Sequence, residues 1–168
     1  HSSSEWLQSL KPNFKILPVK DRILCGLGAL IGLALSSLIS LWALGDFQAW
    51  YIAPMGASSV LLFAVPASPL AQPWNMVVGN VIAAIVGVSC GLWITDLTLA
   101  FSIAVSLSIF LMMTTDSLHP PSGAVAITAV LGGAAIHKLG FYFVFYPVLL
   151  NSLLLLGFAV FFNRLIGR

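Results

Sequence analysis

The chain has 168 residues, of which 60% are hydrophobic and only 7% charged, with a net charge of +2. Its seven Lys and Arg and five Asp and Glu cannot cover a soluble domain, whose charged share is about 25%. The composition excludes a water-soluble fold and predicts an all-α, polytopic transmembrane helical bundle, since helices satisfy their own backbone polar groups in lipid.

In chain order, residues 1–22 read as a polar leader. His1 to Ser4 look like the remnant of an expression tag, and Pro12 and Pro18 confine any interfacial helix to about Trp6 to Leu10. Residues 23–168 then form a single transmembrane domain. Ile23 to Leu44 is the first uncharged run that reaches the roughly 20 residues a span needs. Asp46 to Ala53 is mixed polar and aromatic, as at a membrane interface. Pro54-Met55-Gly56-Ala57-Ser58-Ser59 leads into the apolar Val60 to Val65. A helix over 54–65 would be about 18 Å long, short of the ~30 Å hydrocarbon core. Pro66, Pro69 and Pro73 punctuate the connection to Met76 to Ile94, which carries Asn80.

The second half has the same order. Leu97 to Met113 is a slightly short span, followed by the polar stretch Thr114 to His119. Pro120-Pro121-Ser122-Gly123-Ala124 opens another short apolar segment, ending near Ile136, and Gly140 to Phe162 is a last long run containing Asn151. Pro54-Met55-Gly56-Ala57 aligns without gaps on Pro121-Ser122-Gly123-Ala124. The chain thus reads as two repeats, about 23–94 and 97–164, each a long span, a broken or re-entrant short helix opened by Pro-x-Gly-Ala, and a second long span. Six crossings with inverted halves is the preferred topology; four crossings with two re-entrant segments is the alternative. Short or Gly/Pro-interrupted segments in matching places of two halves point to a transport site.

The chemistry expected at these segments follows from helix starts. Proline fits a first turn, where its missing N–H would have no partner. The free amides there carry partial positive charge and bind anions. Pro54, Met55, Gly56, Ala57, Pro120, Pro121, Gly123 and Ala124 would frame such a site, with Ser58, Ser59 and Ser122 as hydroxyl donors. The alternative is a pair of kinked structural helices. Asp116 and His119 lie three apart, so one helical turn would bring them together. His119 would then meet an anion or relay a proton, oriented by Asp116; if both sit in a surface loop they are simply hydrated. Asn80 and Asn151 brace helices or line the path. His137 beside Lys138 reads as a surface pair.

Lys11, Lys15, Lys20 and Arg22 precede the first span, and Arg164 and Arg168 follow the last. Both termini are therefore expected on the cytoplasmic side, in place of a nucleic-acid patch. Trp42, Trp50, Trp74 and Trp93 fall near span ends, as interface anchors do. Cys25 and Cys90 lie inside apolar runs as packing residues, with no metal or disulfide spacing. No cofactor is expected, and no nucleophile elbow or phosphate loop suggests an enzyme. A non-transporting membrane scaffold or regulatory subunit is the second functional class, and an intramembrane enzyme is the third. The expected partners are the bilayer and a small anion, and a homo-oligomer is compatible with the sequence.

Leu118-His119-Pro120-Pro121-Ser122-Gly123-Ala124 resembles the signature of the HPP family of membrane proteins. Ala53 to Phe63 and Ser68-Pro69-Leu70-Ala71-Gln72-Pro73 resemble it as well, so the likeness extends over about residues 20–165. Some members, in cyanobacteria and plant chloroplasts, are nitrite transporters, and others carry soluble regulatory domains that these residues do not show. The resemblance implies nitrite transport in a bacterial inner membrane or plastid envelope, with cytoplasmic or stromal termini. It implies no residue-level map of a nitrite site.

Overall fold

The computed structural model describes residues 16–45 and 49–168. The interfacial helix expected at Trp6 to Leu10 and the polar residues 46–48 lie outside them. The first helix, α1, is Val19–Leu44. It ends where Gly45 turns left-handed at φ 67° and returns its amide to the Leu41 carbonyl, a glycine closure of the kind helix ends favour. Much of α1 faces outward: Leu30, Leu38 and Trp42 are exposed, as lipid-facing side chains are.

The next helix, α2, is Ala49–Ser59, and it continues as a wider π-helical turn over Val60–Ala64. Phe63 at its end rests on α1, where a Cβ at Gly28 would lie 2.6 Å from the ring. A short 3₁₀ turn, Pro69–Ala71, is capped by Ser68 and leads to α3, Pro73–Trp93, with proline in its first turn. A tight link follows. Asp96 caps α4, Leu97–Thr114, by accepting the Leu99 amide at 2.8 Å. Then come α5, Ser122–Leu131, and the small α6, Ala134–Leu139. A π-helical turn, Val144–Leu149, holds Pro147 and enters α7, Leu150–Leu165.

Side-chain neighbours give the directions. The Trp74 indole N–H donates to the Thr115 carbonyl at 3.1 Å, so α4 folds back on α3. Gly79 of α3 meets Ser122 and Gly91 meets Val130, so α5 runs parallel to α3. Gly28 meets Phe162 and Gly32 meets Leu155, so α7 runs antiparallel to α1. The Arg168 guanidinium reaches Cys25 Sγ at 2.7 Å and the Phe63 carbonyl at 3.3 Å. The start of α1, the end of α2 and the end of α7 therefore share one end of the bundle, with Lys20, Arg22, Arg164 and Arg168. The opposite end holds α6. Among the described residues four helices are long and apolar enough to span a bilayer, and two shorter apolar ones complete the set. The four long helices run between the two ends, whereas α5, with ten residues, extends about 15 Å and covers only part of that distance.

The expected openings are corrected in two places. Pro54 does not start its helix: α2 begins at Ala49 and carries Pro54 inside it. A membrane helix tolerates an internal proline because neighbouring groups satisfy the freed carbonyl. Pro121 does stand immediately before its helix, as the cap of α5. That helix stops at Leu131, however, because Gly133 at φ 86° breaks the run expected to reach Ile136.

The core is built from small side chains. Gly79, Ala83, Gly87 and Gly91 recur every fourth residue along the α3 face that α5 covers. A Cβ at Gly87 would lie 2.7 Å from the Ala126 carbonyl oxygen. In lipid, helices associate by such close packing, since apolar burial alone gains nothing over the acyl chains. A second cluster, with Met55, Phe63, Met76 and Leu155, fills the space between α1, α2, α3 and α7.

Candidate functional site

The chain between α4 and α5 is aimed inward by its own backbone. Asp116 adopts φ 53°. The Ser117 amide returns to the Met112 carbonyl at 2.8 Å and the Asp116 amide to Met113 at 3.4 Å. This paired return is the closure that ends many helices, and Asp tolerates its left-handed position. The turn leaves Asp116 exposed and sends His119 to 0% exposure. The expected Asp116–His119 pair is therefore not formed: they share a loop but point to opposite environments. The Asn75 amide group holds this loop from α3, donating to the Leu118 carbonyl at 3.0 Å.

His119 Nδ1 lies 2.8 Å from the Leu70 carbonyl, and Nε2 lies 2.9 Å from Ser58 Oγ. A carbonyl can only accept, so Nδ1 carries the hydrogen. In the neutral ring, Nε2 is then the acceptor for the Ser58 hydroxyl. One imidazole thus joins α2, the 3₁₀ turn and the loop opening α5. Beside it, Ser122 Oγ donates to Asn80 Oδ1 at 2.8 Å, and Asn80 Nδ2 donates to Ser152 Oγ at 2.9 Å. The Ser152 hydroxyl passes on to the Val148 carbonyl at 2.8 Å. Ser58, His119, Asn80, Ser122 and Ser152 are all fully buried. The two sets adjoin at Gly79, whose Cβ position is 3.0 Å from Ser122 Oγ and 3.1 Å from His119 Cβ.

Other expected residues are placed differently. Met55 is buried in the apolar cluster beside α7, and Ala57 faces out. The Ser59 hydroxyl bonds back to the Met55 carbonyl at 2.9 Å. Asn151 is buried next to Ser152 on α7. Gly123 and Gly56 leave room for a side chain: the nearest atom to a Gly123 Cβ is 4.0 Å away, and none lies within 4 Å at Gly56. The amides at the start of α5 are occupied too. Those of Ser122, Gly123 and Ala124 bond to the carbonyls of His119, Pro120 and Pro121 at 2.9, 3.1 and 3.0 Å. The site is thus a cluster of neutral side chains, with no free helix start at α5 and no helix start at Pro54.

Sequence reasoning missed Gly79, Asn75 and Ser152. The four-residue spacing of Gly79, Ala83, Gly87 and Gly91 was the available signal for the first; nothing local marks the other two. Two buried polar atoms, Ser108 Oγ and Asn163 Oδ1, have no hydrogen-bond partner among the described residues. Asn163 borders a cavity of about 210 Å³ with Gln72 and Pro73 at the basic end. A second cavity, about 280 Å³, opens at the other end between Val88, Gly91 and His137. Along α3, the polar cluster lies between them.

A family model described as "HPP, transmembrane region" matches residues 15–168. A transmembrane protein of Dictyostelium discoideum is 44% identical over 117 residues, 67% of this chain and 41% of the relative. Another from the same organism is 42% identical over 112 residues, 64% of this chain and 36% of its own length. The chain thus spans about two-fifths of the curated relatives it matches. No solved structure matches it.

Proposed function

Because the chain belongs to the HPP transmembrane family, we propose that it is a membrane transporter or channel for a small monovalent anion, with nitrite the first candidate. The observation that carries this reading is the buried cluster of Ser58, His119, Asn80, Ser122 and Ser152 between two cavities. Polar groups at membrane depth are costly and mark substrate paths in many membrane proteins. This cluster is neutral, which suits a singly charged cargo that must leave as readily as it arrives. Ser58, Ser122, Asn80 and His119 are the side chains proposed to touch the anion. Asn163 supplies further polar surface at the basic end. The two short helices that carry the Pro-x-Gly-Ala motifs run in opposite senses, which supports an inverted pair of halves, as in many carriers. Basic residues gathered at one end support a cytoplasmic or stromal location for it.

The nearly complete hydrogen bonding of the cluster favours a second reading, a non-transporting scaffold braced by these side chains. Uptake of nitrite, nitrate, formate and chloride into liposomes holding only this protein separates the two. We expect nitrite uptake above protein-free vesicles, which control for the neutral acid that crosses lipid unaided. His119→Ala should abolish it. Ser122→Ala should lower it about fivefold, since a neutral hydrogen bond is worth about 1 kcal/mol. Folded protein with no uptake above the blank overturns the transport reading.

A further inference from the structure

The helix α6 is held unlike the rest of the bundle. It has six residues, Ala134–Leu139, and a glycine in an unusual conformation at each end. Gly133 sits at φ 86°, ψ −171° and Gly140 at φ 54°, ψ −135°. L side chains rarely adopt either. Neither glycine serves packing, because a Cβ at each would meet nothing within 4 Å. They serve the backbone, as the turns that set the segment between them at an angle to its neighbours. Three side chains keep it down. Ile136 is 1% exposed and packs into the core, with the partly buried Leu139 against the same cluster. His137 Nε2 lies 2.7 Å from the Val130 carbonyl at the end of α5. The carbonyl can only accept, so Nε2 donates, in the neutral ring and in the imidazolium alike.

This segment forms one wall of the cavity of about 280 Å³. Val88, Gly91 and Leu92 of α3 form the other wall, and Ala129 of α5 lies between. Below the cavity the α3–α5 seam tightens. A Cβ at Gly91 would lie 3.6 Å from the Ala129 carbonyl, and one at Gly87 only 2.7 Å from the Ala126 carbonyl. The same seam reaches Gly79 and Ser122, about 18 Å along α3 from Gly91.

We propose that α6 is a glycine-hinged lid over the mouth of the path at the end opposite the basic residues, and that His137 is the positioning residue that latches it. His137 touches the α5 carbonyl and not the cargo. His137 and Lys138 are both exposed, as a surface pair is, and the latch adds a role for the His137 ring. The inference rests on the transport reading, so its test reads lid position apart from transport. In a chain with Cys25→Ser and Cys90→Ala, Val88→Cys places one thiol inside the cavity at little cost in volume. A membrane-impermeant maleimide then probes it in proteoliposomes.

Removing the donor with His137→Leu should speed labelling at position 88 about fivefold, the factor for one neutral hydrogen bond. His137→Gln, which returns an N–H donor at similar reach, should bring the rate back to within about twofold. Gly140→Ala meets no neighbouring atom but strains the φ 54° backbone that seats the lid, so it should speed labelling while the size-exclusion profile stays intact. Labelling at the parent rate in folded His137→Leu overturns the lid. Where His137→Leu does not fold, an unchanged rate in Gly140→Ala overturns it instead. Faster labelling in His137→Leu from a protein that takes up no nitrite above blank vesicles upholds the lid and removes the transport reading.

Discussion

A methyl group at Gly79 would sit 2.9 Å from the Ser117 carbonyl oxygen, a backbone atom that cannot turn aside. At Gly87 it would meet the Ala126 carbonyl at 2.7 Å. The glycines of the Pro-x-Gly-Ala motifs, Gly56 and Gly123, face open space by comparison. Alanine gains about 1 kcal/mol over glycine inside a helix, whereas overpacking costs about 1–3 kcal/mol. Gly79→Ala and Gly87→Ala should therefore lower the thermal midpoint in detergent, and Gly56→Ala and Gly123→Ala should hold or raise it. Intrinsic tryptophan fluorescence during heating measures all four. If Gly79→Ala melts no lower than Gly56→Ala, the close seat of the His119 loop on α3 is wrong.

The end of α2 shows how an element is finished by another. The last carbonyls of a helix lack partners within it, and the π-helical turn leaves those of Leu62, Phe63 and Ala64 facing α7. Asn163 Nδ2 donates to Leu62 at 2.9 Å. The Arg168 guanidinium donates to Phe63 and Ala64 at 3.3 and 3.4 Å. A cation there also suits the negative end of the helix dipole. Arg168→Ala should loosen this end, so that backbone amides over Val60–Val65 exchange hydrogen several-fold faster in nanodiscs, while those of α3 do not change. Equal protection in both proteins would show that the guanidinium contacts contribute nothing. Lysine in its place should restore only part of the protection, because it lacks the guanidinium fork.

At the scale of the whole molecule, Arg168 beside Cys25 puts the two described ends of the chain together. Lys138 lies at the other end, on α6. With the native cysteines replaced, single cysteines at Ser3 and Gly167 should react with an impermeant reagent from the cytoplasmic side, and one at Lys138 from the opposite side. Reaction of Ser3→Cys and Gly167→Cys from different sides would contradict the end-to-end passes of the chain. Trp42, Trp74 and Trp93 fit the same frame, exposed near helix ends as interface residues are.

Composition alone determined that this chain is a helical membrane bundle, because too few charged side chains exist to cover a soluble surface. Apolar run length determined four of its helices to within a few residues, apart from the start of the last. Gly140 and Phe141 became a turn, and the last span, Val144–Leu165, is entered through the Pro147 kink. The motif Pro121-Ser122-Gly123-Ala124 marked a real helix start, because proline ahead of a first turn is a local preference. Pro54 misled for the same reason: a local preference cannot show that neighbouring helices make an internal proline tolerable. Tertiary structure alone decided what His119 touches, since Ser58 and Leu70 are 61 and 49 residues away along the chain. It also parted Asp116 from His119, through a single left-handed residue that redirects the loop. Sequence marked Ser122 and Asn80 singly and Ser152 not at all; they become a linked set only where three helices approach closely enough.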